Sequence, residues 1–208
     1  MKDNAIIITV FFIGCLVGWS GIAPETIKES NPAIYILYAL MFQVGISIGS
    51  DKNLKSMVKS LRLKMLLLPL STILGTLLFS ALISLVLTRW SVFDCLAVGS
   101  GFAYYSLSSI LITELKGASL GVQVAAELGT IALLANIMRE MMALLGTPLL
   151  ARFFGRFAPI SAAGVNSMDV ILPTITKYTG KEMTTFAIFH GILVDMSVPF
   201  FVTLFCTL

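Results

Sequence analysis

"TIALLANIMREMMALLGTPLL", residues 130–150, is an apolar helical pattern with Asn136, Arg139 and Glu140 set into its middle. Without those three residues it reads as a membrane span, because about 20 apolar residues cross a hydrocarbon core as a helix. With them it needs a further reason to exist. An ionisable side chain is expensive in hydrocarbon and faces a partner or a water-filled cavity. Asn136 lies four residues from Glu140 and three from Arg139, so all three project from neighbouring parts of one helical surface.

The surrounding chain sets the same solvent. It is 57% hydrophobic and 12% charged over 208 residues, with mean hydropathy +0.95. Apolar runs at 5–22, 32–50, 65–87, 119–150 and 183–206 predict about five transmembrane helices. The first, "AIIITVFFIGCLVGWSGI", is read as a retained span and not a cleaved signal, since no small-residue cleavage site precedes a soluble domain. Two more stretches, 95–113 and 158–176, are apolar but punctuated by Gly, Ser, Asn and Pro. Such interruptions leave backbone groups unpaired, which membrane depth tolerates only beside protein or a watery cavity. The expected fold is an all-α integral membrane protein, one transmembrane domain over 1–208. Cys15, Cys95 and Cys206 stand singly in apolar context, with no Cys or His at metal spacing, so no metal or cofactor is expected.

Loop charge sets an expected orientation. The segment "SDKNLKSMVKSLRLK", residues 50–64, carries five cations against Asp51 and is expected on the cytoplasmic side. The 65–87 span then leads outward to "TRWSVFD", where Trp90 suits an interface. If 95–113 enters and returns on that outer face, the 119–150 helix brings Arg152 and Arg156 back inside. By the same logic the 158–180 stretch re-enters from the cytoplasm, with Lys177 and Lys181 inside. The N-terminus is then cytoplasmic and the C-terminus periplasmic.

An internal repeat fits this plan. "GFAYYSLSSILITELKG" (101–117) and "GVNSMDVILPTITKYTG" (164–180) are equal in length, begin and end in Gly, and match Ile112 with Ile175 and Thr113 with Thr176. Copies entering from opposite sides make an inverted repeat, with units 32–150 and an incomplete 151–208. That is the architecture of many secondary transporters, whose site lies where broken helices meet.

The polar residues inside these segments have two readings each. Arg139 and Glu140 are either a structural ion pair or, for Glu140, a cation or proton site. Asp169, flanked by Asn166 and Ser167, either binds a ligand in unwound backbone or caps the following half-helix. Tyr105 and Ser106 offer hydroxyls to a small solute or to the broken backbone itself. His190 is an interhelical hydrogen-bonding group or a proton relay, and Glu127 a solvated or snorkelling end group. A Ser106 or Ser109 pairing with His190, or an Asp169 and Asp195 pair, would suit an intramembrane hydrolase, although no local catalytic signature supports one.

At these residues the chain resembles a known family. "GSGFAYYSLSSILITELKG", "NIMREMMAL", "GVNSMDVILP" and "FAIFHGILVDMSVPF", in this order, resemble the bacterial lysine exporter family commonly called LysO, from about Met41 to the C-terminus. The resemblance implies an inner-membrane exporter of L-lysine and its analogue thialysine, driven by a cation gradient, with a proton as the expected coupling cation. Arg139 and Glu140 match the family's buried Arg-Glu, with Glu140 the acid needed for transport. Asp169 matches its Ser-Met-Asp acid, and His190 the His of its last span. Family members are longer, with a further N-terminal membrane region, so a companion membrane subunit or a homodimer is expected to complete this chain.

Elementary chemistry agrees. Lysine carries two ammonium groups and one carboxylate, so its site wants an acid for the excess positive charge. It also wants a half-helix N-terminus or hydroxyls for the carboxylate. The chain has no Walker motif for ATP and nothing that points to nucleic acid, leaving the membrane lipid and the solute as partners. Another cationic amino acid, or a non-transporting role within a split transporter, satisfies the same residues.

Overall fold

The computed structural model describes residues 63–208, with a few isolated positions before them. The expected spans at 5–22 and 32–50, and most of the 50–64 loop, lie outside the described residues. Contacts divide the chain into two units, Met1–Phe42 and Gln43–Leu208, and residues 63–208 all belong to the second. After a 3-10 turn at Leu63–Leu66 come seven described α-helices: α1 Leu67–Ile83, α2 Val92–Gly99, α3 Tyr105–Leu120, α4 Val122–Phe154, α5 Ala158–Ala163, α6 Leu172–Thr179 and α7 Thr184–Thr207. Short 3-10 turns at Gly164–Ser167 and Lys181–Met183 complete the order. Of these, α4 and the Lys181–Thr207 segment are long and apolar enough to cross a membrane.

The stretch expected to be choppy, 95–113, resolves into α2, a break at Ser100–Tyr104, and α3. Ser91 starts α2 with a reciprocal cap: its hydroxyl accepts from the Asp94 N–H while the Asp94 carboxylate accepts from the Ser91 N–H. The break itself holds Phe102 at φ 44° and Ala103 at φ 75°. Left-handed backbone at residues other than glycine costs about 1–3 kcal/mol each and persists only where neighbours enforce it. Between α3 and α4 a single residue, Gly121 at φ 81°, reverses the chain. That turn is why the long helix begins at Val122 and not at 119. Gly129 of α4 approaches the Ser109 carbonyl and Thr113 of α3 so closely that an added methyl would fall 2.0–2.9 Å from them. Pairings of 113 with 129 and of 108 with 136 run in opposite senses along the chain, so α3 and α4 are an antiparallel hairpin.

Ion contacts fix the levels of the remaining ends. Lys116, near the end of α3, reaches Asp94, near the start of α2, with Nζ 3.0 Å from Oδ1. Arg89 pairs with Glu127 in the first turns of α4 at 2.6 Å. The unit α2–break–α3 therefore starts and finishes at the N-terminal end of α4, with its break deeper in. At the other end of α4, Arg156 before α5 pairs with Glu182 after α6 at 2.7 Å, so α5–break–α6 starts and finishes at the C-terminal end. Two helical hairpins thus enter the bundle from opposite ends of one helix. Their breaks cross: the Val165 N–H donates to the Phe102 carbonyl at 2.9 Å. Phe102 and Val165 occupy the same position in the two repeat segments that begin at Gly101 and Gly164. The close pass explains Gly164, at φ 60°, where an added methyl would lie 2.2 Å from the Phe102 oxygen. Around the crossing, Ala143, Ile160, Ala163, Ile171, Ile175, Met183 and Ala187 form a buried apolar cluster.

Candidate functional site

The polar residues of the crossing come from α1, α4, α5, the second break and α7. Asn136 of α4 is buried against the first break. Its Oδ1 accepts from the strained Ala103 N–H at 2.8 Å, and its Nδ2 donates to Ala132 O at 2.9 Å and Val98 O at 3.3 Å. The amide thus supplies partners to backbone that the interruption leaves without them, which is how unwound chain survives at membrane depth.

Arg139, one turn on, does the same for the second break. Its Nε donates to Ala162 O and its Nη2 to Ser161 O, each at 3.1 Å, and its Nη1 to Thr76 Oγ1 of α1 at 3.3 Å. The guanidinium therefore sits on the last carbonyls of α5, where the helix dipole favours a cation, and also lies 5.9 Å from the Phe102 ring centroid. Of the two readings of Arg139 and Glu140, the ion pair is not formed. Adjacent helix residues project about 100° apart at 3.6 residues per turn, and the α5 carbonyls claim Arg139. Among the described residues the Glu140 side chain forms no ion pair and no hydrogen bond. Glu140 is half-buried, one residue past Arg139 and at the edge of the α4 stripe that buries Asn136, Ala143 and Thr147.

The remaining candidates separate. Ser167 and His190 come together: His190 is fully buried on α7, with Nδ1 3.0 Å from Ser167 Oγ and Nε2 2.9 Å from Thr72 Oγ1. Ser167 Oγ also donates to Ala187 O at 2.9 Å, and Thr72 Oγ1 reaches Ser161 Oγ at 2.8 Å. His190 is thus the centre of a hydroxyl chain that ties α1, α5, the second break and α7 together. With both ring nitrogens so engaged, it is not the partner of Ser106 or Ser109 that a hydrolase reading needs. Asn166 is buried beside Ser167, and its Nδ2 has no hydrogen-bond partner. Asp169 is exposed on the turn before α6. It accepts from the Val170 N–H and does not cap α6, whose N-cap is Ile171 with no side-chain bond. Tyr105 and Ser106 are exposed in the first turn of α3, and Glu127 is held by Arg89.

Three features had little sequence signal. The buried Asp94–Lys116 pair is half-legible, since Ser91 and Asp94 have capping-box spacing. Thr72 and Ser161 look like any hydroxyls in apolar helices. Beside Arg139 the hydroxyls of Ser71, Thr72, Thr76, Ser80 and Ser161 line a groove of about 550 Å³ between α1 and α5. A second, mostly apolar cavity of about 210 Å³ runs from Asp94 past Asn136 to Arg139.

Comparison with known proteins now bears on this arrangement. The family model described as "Lysine exporter LysO" matches residues 8–206, almost the whole chain. The chain belongs to the lysine exporter LysO family. It is 30% identical over 200 residues to the protein named "Lysine exporter LysO" of Escherichia coli (strain K12), covering 94% of this chain and 62% of that one. It is 28% identical over 203 residues to the "Putative lysine exporter" of Haemophilus influenzae (strain ATCC 51907 / DSM 11121 / KW20 / Rd), covering 96% of each. The chain thus spans about three fifths of the length of the first relative and nearly all of the second. No solved structure matches it. Membership puts the chain in a family of membrane exporters, and the two broken hairpins form the centre of its described part.

Proposed function

We propose that this chain exports L-lysine across the bacterial inner membrane by exchange with a cation, a proton in the first instance, and that the crossing of the two broken hairpins is its site. One observation carries the reading: Glu140, half-buried on α4 beside the buried Asn136 and Ala143, has no ion pair among the described residues, in a chain of the lysine exporter family. An acid held at membrane depth without a structural partner is the group that a cationic solute or a proton would occupy. Asp169, exposed on the second break, offers a second carboxylate for the other ammonium. Tyr105 and Ser106 at the N-terminus of α3, and the hydroxyl-lined groove beside Arg139, favour the solute's carboxylate. Asn136, Arg139, Ser167 and His190 hold the crossing in shape, whereas the buried Asn166 amide has a donor left free for a solute.

The hairpins are read as re-entrant from opposite membrane faces and as copies of an inverted repeat. The meeting of Phe102 with Val165 at matched repeat positions supports this, as do the ion pairs that close each hairpin at opposite ends of α4. The family names support lysine as the solute, thialysine follows from its near-identical shape, and the exposed Asp169, Tyr105 and Ser106 call for a cover that a second copy or companion subunit would provide. The test is expression in cells made sensitive to thialysine by loss of their own exporters. Restored growth with lysine appearing in the medium supports the reading, and normal membrane abundance with neither effect refutes it.

A further inference from the structure

Asp94 and Asp195 are equally buried, each 4% exposed, yet their surroundings are opposite. Asp94 has Lys116 at 3.0 Å. Asp195 has no ion pair among the described residues, and its Oδ1 has no hydrogen-bond partner. It lies on the face of α7 that carries Ala187, Gly191, Val194 and Val198, all buried. Gly191 on that face comes so near the second break that an added methyl would meet Met168 at 2.6 Å.

The charged and titratable groups around Asp195 can be taken element by element. From its own helix comes His190, with both nitrogens bonded to hydroxyls. From α4 comes Arg139, held by the Ser161 and Ala162 carbonyls. From the second break come Asn166, whose buried Nδ2 is also unpartnered, and Asp169, which follows the Met168 that packs against Gly191. The first break carries the phenol Tyr104. No cation in this set pairs with Asp195, so an ionised carboxylate here is uncompensated at membrane depth, whereas the neutral acid is not.

We propose that Asp195 takes up and releases one proton in each transport cycle, with Asp169 as its route to water. The proposal deepens the export reading above and rests on it. Burial without a counter-charge disfavours an ionised carboxyl, and the exposed carboxylate on the adjoining break gives the proton a way to water. When the O–H bond at Asp195 breaks, the proton passes to the Asp169 carboxylate or to water beside it, and no other reactant is needed. An ammonium arriving at Asp169 favours the ionised form of both acids and discharges the proton, which links solute entry to proton exit.

The variant Asp195→Asn keeps the shape of the protonated acid and removes its titration. In proteoliposomes with lysine at equal concentration on both sides, exchange of labelled lysine needs no net proton movement and is expected to persist. Lysine accumulation driven by a pH gradient is expected to be lost, with Asp195→Glu recovering part of it. An infrared pH-difference spectrum of the wild-type protein reads the carboxyl whether or not lysine is moved. It is expected to show a buried protonated carboxyl that is missing in Asp195→Asn and shifted in Asp195→Glu. Proton-driven accumulation by Asp195→Asn at the wild-type level overturns the proposal. So does loss of exchange and accumulation together in both folded variants, or a spectrum without the buried acid. A wild-type protein that exchanges no lysine refutes the export reading, a result distinct from all three.

Discussion

Arg139→Met keeps most of the side chain's length and removes its charge and all of its donors. The structure gives that side chain three hydrogen bonds, two of them to the Ser161 and Ala162 carbonyls at 3.1 Å, and no pairing with Glu140. A hydrogen bond from a charged donor contributes about 1.5–3 kcal/mol, so the two carbonyl bonds together amount to about 3–6 kcal/mol. That is a large share of the roughly 5–15 kcal/mol that holds a domain folded. Arg139→Met is therefore expected to lower both membrane abundance and the melting temperature of the detergent-solubilised protein. Adding Glu140→Gln discriminates the causes. Were the two residues a buried ion pair, removing both would relieve the stranded charge. Here the carbonyls stay unpaired, so the double variant is expected to be as unstable as Arg139→Met alone. Recovery of wild-type abundance and melting temperature in the double variant would refute the assignment of Arg139 to the second break.

Further predictions address the rest of the crossing. His190→Leu removes the shared partner of Ser167 and Thr72, whose hydroxyls keep Ala187 O and Ser161 Oγ, at about 0.5–1.5 kcal/mol per lost hydrogen bond; thermal melts should shift down while lysine flux per folded molecule holds, and an unchanged melt contradicts the hydroxyl chain. Gly164→Ala places a methyl 2.2 Å from the Phe102 oxygen and should abolish accumulation of folded protein. Gly121→Ala meets open space and carries only the left-handed backbone strain of about 1–2 kcal/mol; equal damage from both would contradict the close crossing. Cysteines placed at Ser91 and Ala118 should be labelled from one membrane face, and one at Gly155 from the other. Labelling of 91 and 118 from opposite faces would replace the first hairpin by a full crossing.

Sequence reading found the all-helical, apolar plan because apolar run length and helix-breaking residues are local signals. The interruptions at Gly101 and at Gly164–Asn166 mark the two breaks, whereas α4 runs on to Phe154, past the apolar run that ends at 150. Gly121 shows the limit. Its one-residue reversal splits what looks like continuous apolar text, because a glycine between two helices is compatible with one long helix until φ is known. The candidate site was legible as a set of polar residues but not as a set of partnerships. Arg139 and Glu140 adjoin in sequence, and which acceptor a guanidinium finds depends on the α5 carbonyls, brought over by a chain reversal that neighbouring letters do not encode. Thr72 lies 118 residues from His190, and nothing local to either names the other. Asp195 reads as a weak candidate on composition. Its isolation emerges only once Lys116 is found on Asp94 and Arg139 on α5.

The central claim is that Glu140 binds the transported charge and does not hold the fold. Purified wild-type protein and Glu140→Gln, reconstituted in equal folded amounts into vesicles loaded with labelled lysine, test it most directly. Glu140→Gln keeps the shape and most of the hydrogen-bonding capacity and deletes the charge. The account predicts gradient-driven lysine efflux from the wild-type vesicles and none above background from the variant, with matching melting temperatures. Equal efflux from the two would contradict it.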